Sequence, residues 1–373
     1  MRFFLIISSF FIWNCAYSQK NIEIIDPETA KVDGKIVKIE SLDKIMKEAV
    51  IFKKIQVSEE WYNKGVELAD KKQYQEALEA FGQAVRFNPE FAKAYSNRGA
   101  VYLEIEKYEE AIKDFDLAIS TDNNLSTAYY GKGRALFLQE RYNMAIEAFD
   151  EAIKRNLQTP QVYYFRGVAK FMIEKYQDAI ADFNKTIQLD NKFAYAYNDR
   201  ASAKRMIEDY KGAEEDYTKA IGLDATLSIA YANRASVRLK LKKLNDAIAD
   251  YTKAIQIDNR NYIAYNNRGL AKLENKDYLG AIADFTECLK IQPNYFYAFN
   301  NRAVAYYKLQ KYKESVLDCD DAIKLNPNYA DAYLNRGIAK EMIRDNEGAC
   351  SDWKKAGNLG IKAGDVYYSE NCY

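Results

Sequence analysis

The chain has 373 residues, more than one globular core usually organises, and its 54 basic and 54 acidic residues cancel. A balanced charge gives no reason to expect nucleic acid or an anionic membrane surface as a partner. The sequence contains no histidine, the commonest general base near neutral pH and the commonest protein metal ligand, so composition argues against catalysis and against a metal centre.

Residues 1–18 have the pattern of a secretion signal. Arg2 precedes an apolar run, Phe3 to Trp13, which is too short to span a bilayer comfortably. Ala16 and Ser18 then place small side chains where a signal peptidase reads them. The pattern predicts cleavage after residue 18 and export to a periplasmic or extracellular location. Richness in Lys, Asn, Ile and Tyr favours a bacterial envelope.

Cys15 leaves a second fate of the leader open. A lipid-modified bacterial cysteine would tether the protein to a membrane, but that signal has a small residue just before the cysteine, and here it is Asn14. Contact with a membrane is therefore expected only through a partner or, as the alternative, through lipidation of Cys15.

Residues 19–57 form a lead-in without internal repetition. Asp33 and Gly34 lie between two short β-prone runs and predict a hairpin. Ser41 is the expected N-cap of a helix that ends near Lys53 and covers the start of the repeats that follow. Its apolar face comprises Leu42, Ile45, Met46, Ala49 and Val50. The alternative is a flexible leader.

From Ser58 onwards the sequence repeats every 34 residues. Nine repeats follow without a slip in register, and a closing segment, 364–373, comes after them. The repeats are 58–91, 92–125, 126–159, 160–193, 194–227, 228–261, 262–295, 296–329 and 330–363.

Each repeat reads as two helices, A and B. Positions 4, 8 and 11 share one helix face, positions 20, 24 and 27 share another, and positions 14 to 17 form a polar break. Position 4 is aromatic in every repeat, position 8 is Gly or Ala, and position 20 is Ala except for Ser315. Small residues let the helix backbones approach, and large rings fill the space beside them.

This pattern resembles the tetratricopeptide repeat, with an aromatic at 4, Gly or Ala at 8, Ala at 20, an aromatic at 24, Ala at 27 and occasional Pro at 32. The resemblance covers about four fifths of the chain, and departures such as Thr186, Cys288 and Cys319 are local. It implies an all-α fold: a right-handed superhelical solenoid of nine helix-turn-helix repeats, whose A helices line a concave groove.

Positions 2, 5, 6, 9, 12 and 13 lie opposite the packed stripe of helix A and are the groove candidates. Position 6 carries an asparagine in six repeats, and an amide can donate to and accept from the backbone of an extended peptide. The alternative is that these amides meet water or the neighbouring helix. The six are Asn63, Asn97, Asn233, Asn267, Asn301 and Asn335.

The third and fourth repeats interrupt this ladder with apolar side chains at the same groove positions. An aromatic and methionine cluster in a concave wall is a candidate hot spot for a partner's apolar side chains. The alternative is extra packing against the next A helix. The candidate residues are Tyr130, Phe137, Tyr164, Phe165, Phe171 and Met172.

Position 7 is basic in all nine repeats and position 23 is Asp in seven, as in Arg234 and Asp250. Both positions flank a packed stripe, so we interpret them as structural ion pairs that hold helix register.

Four cysteines follow the leader. In an oxidising compartment an even number suggests bridges, although sequence alone permits three connectivities. A bridge between Cys350 and Cys372 would hold the closing segment on the last repeat, whereas Cys288 and Cys319 occupy core positions and are expected to be free.

These observations predict an exported, non-catalytic scaffold or adaptor that binds a protein partner or a peptide segment in its groove. No cofactor and no small-molecule substrate are expected, because no phosphate loop, metal cluster or activated nucleophile has a recognisable spacing. The alternative is a structural spacer or a self-assembling envelope component without a dedicated peptide ligand.

Overall fold

The computed structural model describes residues 21–372. The predicted leader, its cleavage site and Cys15 lie outside this range. Close contacts divide the chain after Lys175, so the N-terminal half and the half from Tyr176 onwards are described separately.

A small antiparallel sheet opens the described chain. Its strands are β1 (Ile22–Ile24), β2 (Thr29–Val32) and β3 (Lys35–Lys38), in the order β1-β2-β3. Ala30 pairs with Val37. Asp33 and Gly34 turn the chain with φ angles of 49° and 85°, so the predicted hairpin is confirmed and one further strand joins it. A short 3-10 turn, Ile39–Ser41, follows.

Helix α1 spans Lys44–Asp70 and departs from the prediction at both ends. Its N-cap is Asp43, whose carboxylate accepts a hydrogen bond from the backbone N of Met46 at 2.8 Å. Ser41 was the wrong cap: its hydroxyl donates to the carbonyl of Lys38 at 2.6 Å within the preceding 3-10 turn. The helix also does not end near Lys53, because no Gly, Pro or polar break separates it from the first repeat.

The lead-in therefore continues into helix A of the first repeat. Met46, Ala49 and Val50 are buried, as a covering helix requires, and Leu42 is half-buried. The side chain of Ile45 lies outside the described part of the chain.

The remaining helices alternate as B and A elements, each A helix carrying an odd number, and a closing helix follows. In the N-terminal half they are α2 (Tyr74–Phe87), α3 (Ala92–Glu104), α4 (Tyr108–Thr121), α5 (Ser126–Leu138), α6 (Tyr142–Lys154) and α7 (Pro160–Met172). In the C-terminal half they are α8 (Tyr176–Leu189), α9 (Ala194–Met206), α10 (Tyr210–Leu223), α11 (Ser228–Lys240), α12 (Leu244–Ile257), α13 (Tyr262–Glu274), α14 (Tyr278–Ile291), α15 (Phe296–Lys308), α16 (Tyr312–Leu325), α17 (Ala330–Met342), α18 (Asn346–Asn358) and α19 (Lys362–Asn371).

Where position 8 is glycine, as in Gly133 and Gly269, the core of the repeat packs the ring at position 24 against it. A Cβ added to Gly133 would lie 2.5 Å from Cε1 of Phe149, and one added to Gly269 would lie 2.6 Å from Cε1 of Phe285. The rings therefore occupy the space that a side chain at position 8 would need. The fold class is confirmed as an all-α solenoid of repeated helix pairs, to which the small sheet is appended.

Helix α19 closes the C-terminal half. Tyr367 stacks on Trp353 of α18 with ring centroids 5.2 Å apart, and Cys350 is disulfide-bonded to Cys372 at a Cα–Cα distance of 5.7 Å. Cys288 and Cys319 are free and buried. In the described range 21–372, no helix has the length and apolar character needed to cross a membrane.

Candidate functional site

The recurring spacing of a basic residue at position 7 and Asp at position 23 produces a bidentate ion pair within the repeat. Arg234 Nε lies 2.8 Å from Asp250 Oδ2, and its Nη2 lies 2.7 Å from Oδ1 of the same carboxylate. The same arrangement joins Arg98 to Asp114, Arg200 to Asp216, Arg268 to Asp284, Arg302 to Asp318 and Arg336 to Asp352. These pairs link helix A to helix B, and the predicted structural role is confirmed.

The basic residue at position 7 also reaches position 25 of the preceding repeat. Arg268 Nη1 donates to the hydroxyl of Thr252 at 3.1 Å, and Arg166 Nη1 lies 2.6 Å from Asp150 Oδ1. The guanidinium of Arg268 lies over the ring of Tyr265 at 5.6 Å, which adds a cation–π contact. In these repeats the basic residue at position 7 is thus engaged in contacts within the array.

The asparagines at position 6 contact the neighbouring A helix. Asn97 Nδ2 donates to the hydroxyl of Tyr62 at 3.0 Å. Asn301 and Asn335 donate to the side-chain carbonyls of Asn266 and Asn300 at 3.0 and 2.9 Å. The amide at position 6 therefore bonds to position 5 of the repeat before it, which is the alternative that sequence reasoning left open.

The other three asparagines are placed differently. Asn267 accepts from the amide of Asn266 at 3.2 Å, Asn233 is half-buried, and Asn63 is exposed on α1. At position 6, several asparagine amides thus already form hydrogen bonds between neighbouring repeats.

The apolar residues of the third and fourth repeats form an aromatic cluster. The ring of Phe165 lies 6.3 Å from Tyr130, 6.0 Å from Phe137 and 5.5 Å from Tyr164. All four rings are half-buried, and burial raises the pKa of the Tyr130 phenol. Phe165 occupies position 6 and meets position 5 of the previous repeat, so an aromatic contact replaces the amide bond found elsewhere.

The edge of this aromatic cluster is apolar and open. Phe171 is half-buried, whereas Leu138 and Met172 are 45% and 49% exposed. The aromatic cluster therefore both packs between repeats and presents apolar surface.

In the third repeat, position 6 is Gly131 instead of asparagine. A Cβ at this residue would lie 2.3 Å from Cζ of Phe115, the ring at position 24 of the previous repeat. The Phe115 ring therefore occupies the space that a side chain at position 6 would take, and a larger residue here would have to displace it.

Beside the aromatic cluster lies a cavity of about 330 Å³, formed by the first three repeats. Apolar side chains of α1 and α3 line it, together with Asn97 and the ring of Phe81. Its charged lining residues are Asp70, Lys72, Glu104 and Arg134. The guanidinium of Arg134 also lies over the ring of Phe165 at 5.6 Å, which makes the cavity and the aromatic cluster one continuous surface.

Two features of the C-terminal half were missed by sequence reasoning. Position 2 of four successive repeats carries an exposed apolar side chain, in Tyr195, Ile229, Ile263 and Tyr297. The signal was available, because position 2 was a groove candidate and all four residues are large.

The second missed feature is a pair of buried phenols at position 24, where most repeats have phenylalanine. Tyr217 shares a hydrogen bond with Ser202 at 2.9 Å, and burial raises the pKa of Tyr251 to about 12. Serine at position 9 is the sequence signal that accompanies them. Within residues 21–372, no group of three or more His, Cys, Asp or Glu side chains is placed to hold a metal ion.

Comparisons with family models identify the repeats. Models described as tetratricopeptide repeats match residues 65–106, 236–276, 262–295 and 296–329. A model described as anaphase-promoting complex, cyclosome, subunit 3 matches residues 104–186. No curated protein matches the chain in sequence.

Solved structures agree with this fold. The C-terminal part of a TPR repeat-containing protein from Cytophaga hutchinsonii is 21% identical, with a TM-score of 0.54 over 63% of this chain and 98% of that chain. A tetratricopeptide repeat protein from Parabacteroides merdae is 21% identical, with a TM-score of 0.50 over 67% of this chain and 99% of that one. The matched segments thus contain tetratricopeptide repeats, a scaffold fold that supports a role in protein interaction.

Proposed function

We propose that the protein is an exported scaffold that binds a peptide segment of another protein on its A-helix face. The observation that carries this proposal is the continuous surface of the N-terminal half, where a cavity of about 330 Å³ adjoins the aromatic cluster through Arg134. A concave apolar surface with a few charged groups is the usual form of a ligand site. Half-buried rings provide contact area at low entropic cost.

Export is supported by two independent features. Residues 1–18 have a secretion-signal pattern, and the bond between Cys350 and Cys372 is of a kind that persists in oxidising compartments. Both features support export, and the richness in Lys, Asn, Ile and Tyr favours a bacterial envelope. The intact mass of the purified exported protein tests how the leader is processed. We expect a chain that starts at Gln19, whereas the mass of a diacylglycerol group on Cys15 would indicate lipidation instead.

Site-specific cross-linking tests peptide binding. A photoreactive residue placed at Leu138 or Met172, both exposed at position 13, should cross-link one protein in an envelope extract. The same residue placed at Glu147, which is exposed on helix α6, provides the control. Mass spectrometry should then map the cross-links to one short segment of that protein. Equal labelling from Glu147, or labelling spread over many proteins, would contradict a specific groove.

A further inference from the structure

We infer that the N-terminal half selects a peptide segment with basic side chains at one end and aromatic or aliphatic side chains at the other. This inference rests on the proposed function, because it specifies which segment the same surface accepts. It depends on how charge and apolar area change along position 13 of the A helices.

The first two repeats place carboxylates at this position. Asp70 and Glu104 are exposed, line the cavity, and form no salt bridge within residues 21–372. In the third and fourth repeats the same position carries Leu138 and Met172, both exposed. One row of the surface thus changes from anionic to apolar between the second and third repeats.

The row next to it reinforces the apolar end. Position 12 is Ala69, Leu103, Phe137 and Phe171 in the first four repeats, so side-chain size increases in the same direction. Phe137 belongs to the aromatic cluster, 6.0 Å from Phe165. Apolar contact area is therefore largest where the carboxylates are absent.

The cavity also has two cations, and their positions decide between basic and acidic partners. Arg134 lies over the ring of Phe165, so its positive charge is held at the boundary with the aromatic cluster and not beside Asp70 and Glu104 in the row of position 13. Lys72 belongs to the turn after α1, outside the A-helix row. Since the exposed unpaired charges of the row are both carboxylates, the complementary partner is basic.

The length of the segment follows from helix spacing. Packed helices lie about 10 Å apart, so four A helices span roughly 30 Å from Asp70 to Met172. An extended chain advances about 3.3 Å per residue, which gives about nine residues. A segment of this size can place basic residues at Asp70 and Glu104 while its apolar residues reach the aromatic cluster.

Selection from a display library of random nonapeptides on the full-length protein tests the inference. The wild type should enrich peptides with Lys or Arg near one end and Phe, Trp, Leu or Met near the other. A D70K/E104K variant should lose the basic preference and keep the apolar one. Peptides chosen by the wild type should bind this variant at least about tenfold more weakly, since each exposed charge pair contributes a few-fold.

A matched control separates local from general electrostatics. Glu79 and Glu147 are exposed at position 22 of two B helices, so an E79K/E147K variant changes net charge by the same amount away from the row. This variant should select the same peptides as the wild type. Circular dichroism melting of all three proteins verifies that each is folded.

Different outcomes would contradict the inferred peptide preference and the proposed peptide-binding function. Enriched peptides that are apolar but not basic, or a basic preference that survives in D70K/E104K, would overturn the inference alone. Loss of the preference in E79K/E147K as well would assign it to net charge and also overturn the inference. If folded wild type enriches no peptide, the proposed function fails and the inference fails with it.

Discussion

Asp250 shows how a buried carboxylate is used in the repeats that carry Asp at position 23. It is 4% exposed and contacts the guanidinium groups of both Arg234 and Arg238. Arg234 is itself buried and reaches Thr218 of the preceding repeat. A single carboxylate therefore bridges two guanidinium groups, one of which reaches the preceding repeat, while Arg238 also pairs with Glu214.

Asp250→Asn should destabilise the protein by about 3 kcal/mol or more, because it leaves a buried guanidinium without its counter-charge. Urea unfolding followed by circular dichroism measures this loss. The exposed pair of Lys290 and Glu287 is the control, and Glu287→Gln should change stability by less than about 1 kcal/mol. Similar losses in both variants would mean that Asp250 contributes no more than a surface charge.

Tyr251 predicts a loss of stability at alkaline pH. Its folded pKa of about 12 lies above the usual 10.0, because burial disfavours the phenolate. The unfolded chain therefore loses its proton first, and stability present below pH 10 is lost as the pH rises towards 12. The linked loss is on the order of 2 kcal/mol.

Tyr251→Phe should flatten this decline, since phenylalanine occupies the same position in most repeats. The measurement is the thermal midpoint from pH 8 to 11.5, compared between variant and wild type. Tyr195→Phe, at an exposed tyrosine, should leave the decline unchanged. An identical alkaline decline in Tyr251→Phe would assign the effect to other groups.

At the scale of helices, close approach at glycine decides how neighbouring repeats fit. Gly131→Ala brings a Cβ to 2.3 Å from the Phe115 ring, so we expect a loss of about 1–3 kcal/mol from overpacking. Gly222 in α10 has no atom within 4 Å of an added Cβ. Gly222→Ala should therefore be neutral or stabilising by up to about 1 kcal/mol, through helix propensity. Thermal unfolding of both variants measures these changes in stability. Equal changes in the two variants would contradict a steric clash at Gly131.

Helix α19 depends on its covalent attachment. The bridge between Cys350 and Cys372 closes a segment with a sequence separation of 22, and a loop of this size is worth about 3 kcal/mol in the chain-entropy model. A C350S/C372S variant should exchange the amides of α19 with deuterium much faster than the wild type. The amides of α13 should be unaffected. Unchanged protection of α19 would show that the stacking of Tyr367 on Trp353 suffices.

At the scale of the whole molecule, the repeat could be predicted because its packing depends on the sizes of residues at fixed positions. Small residues at position 8 and rings at position 24 recur at one spacing, and the contacts of Gly133 and Gly269 follow directly. The long α1 was harder: Ser41 is a good N-cap by type, but Asp43 lies one residue before the helix and has the bond.

The candidate site was less accessible from sequence for a related reason. Asn301 and Asn335 satisfy their amides 35 residues back, and a pairing across two repeats is invisible in a single unit. The cavity beside Arg134 depends on side chains from three repeats and could not be located by periodicity. Its neighbouring aromatic cluster could be, because Phe165 and Phe137 break the pattern of their siblings.

Hydrogen bonds from one repeat to the preceding repeat have a consequence for how the number of repeats could change. Arg336 reaches Asp320, and Asn335 reaches Asn300, both in the preceding repeat. If Phe296 to Tyr329 were excised, the same two side chains would meet Thr286 and Asn266, which are chemically suited to replace them. Removal of 33 or 35 residues would instead leave one residue too many or too few at the junction between the two flanking repeats. Insertion or deletion of whole repeats therefore preserves the contacts between neighbouring repeats. The number of repeats can change in this way, whereas the 34-residue spacing cannot.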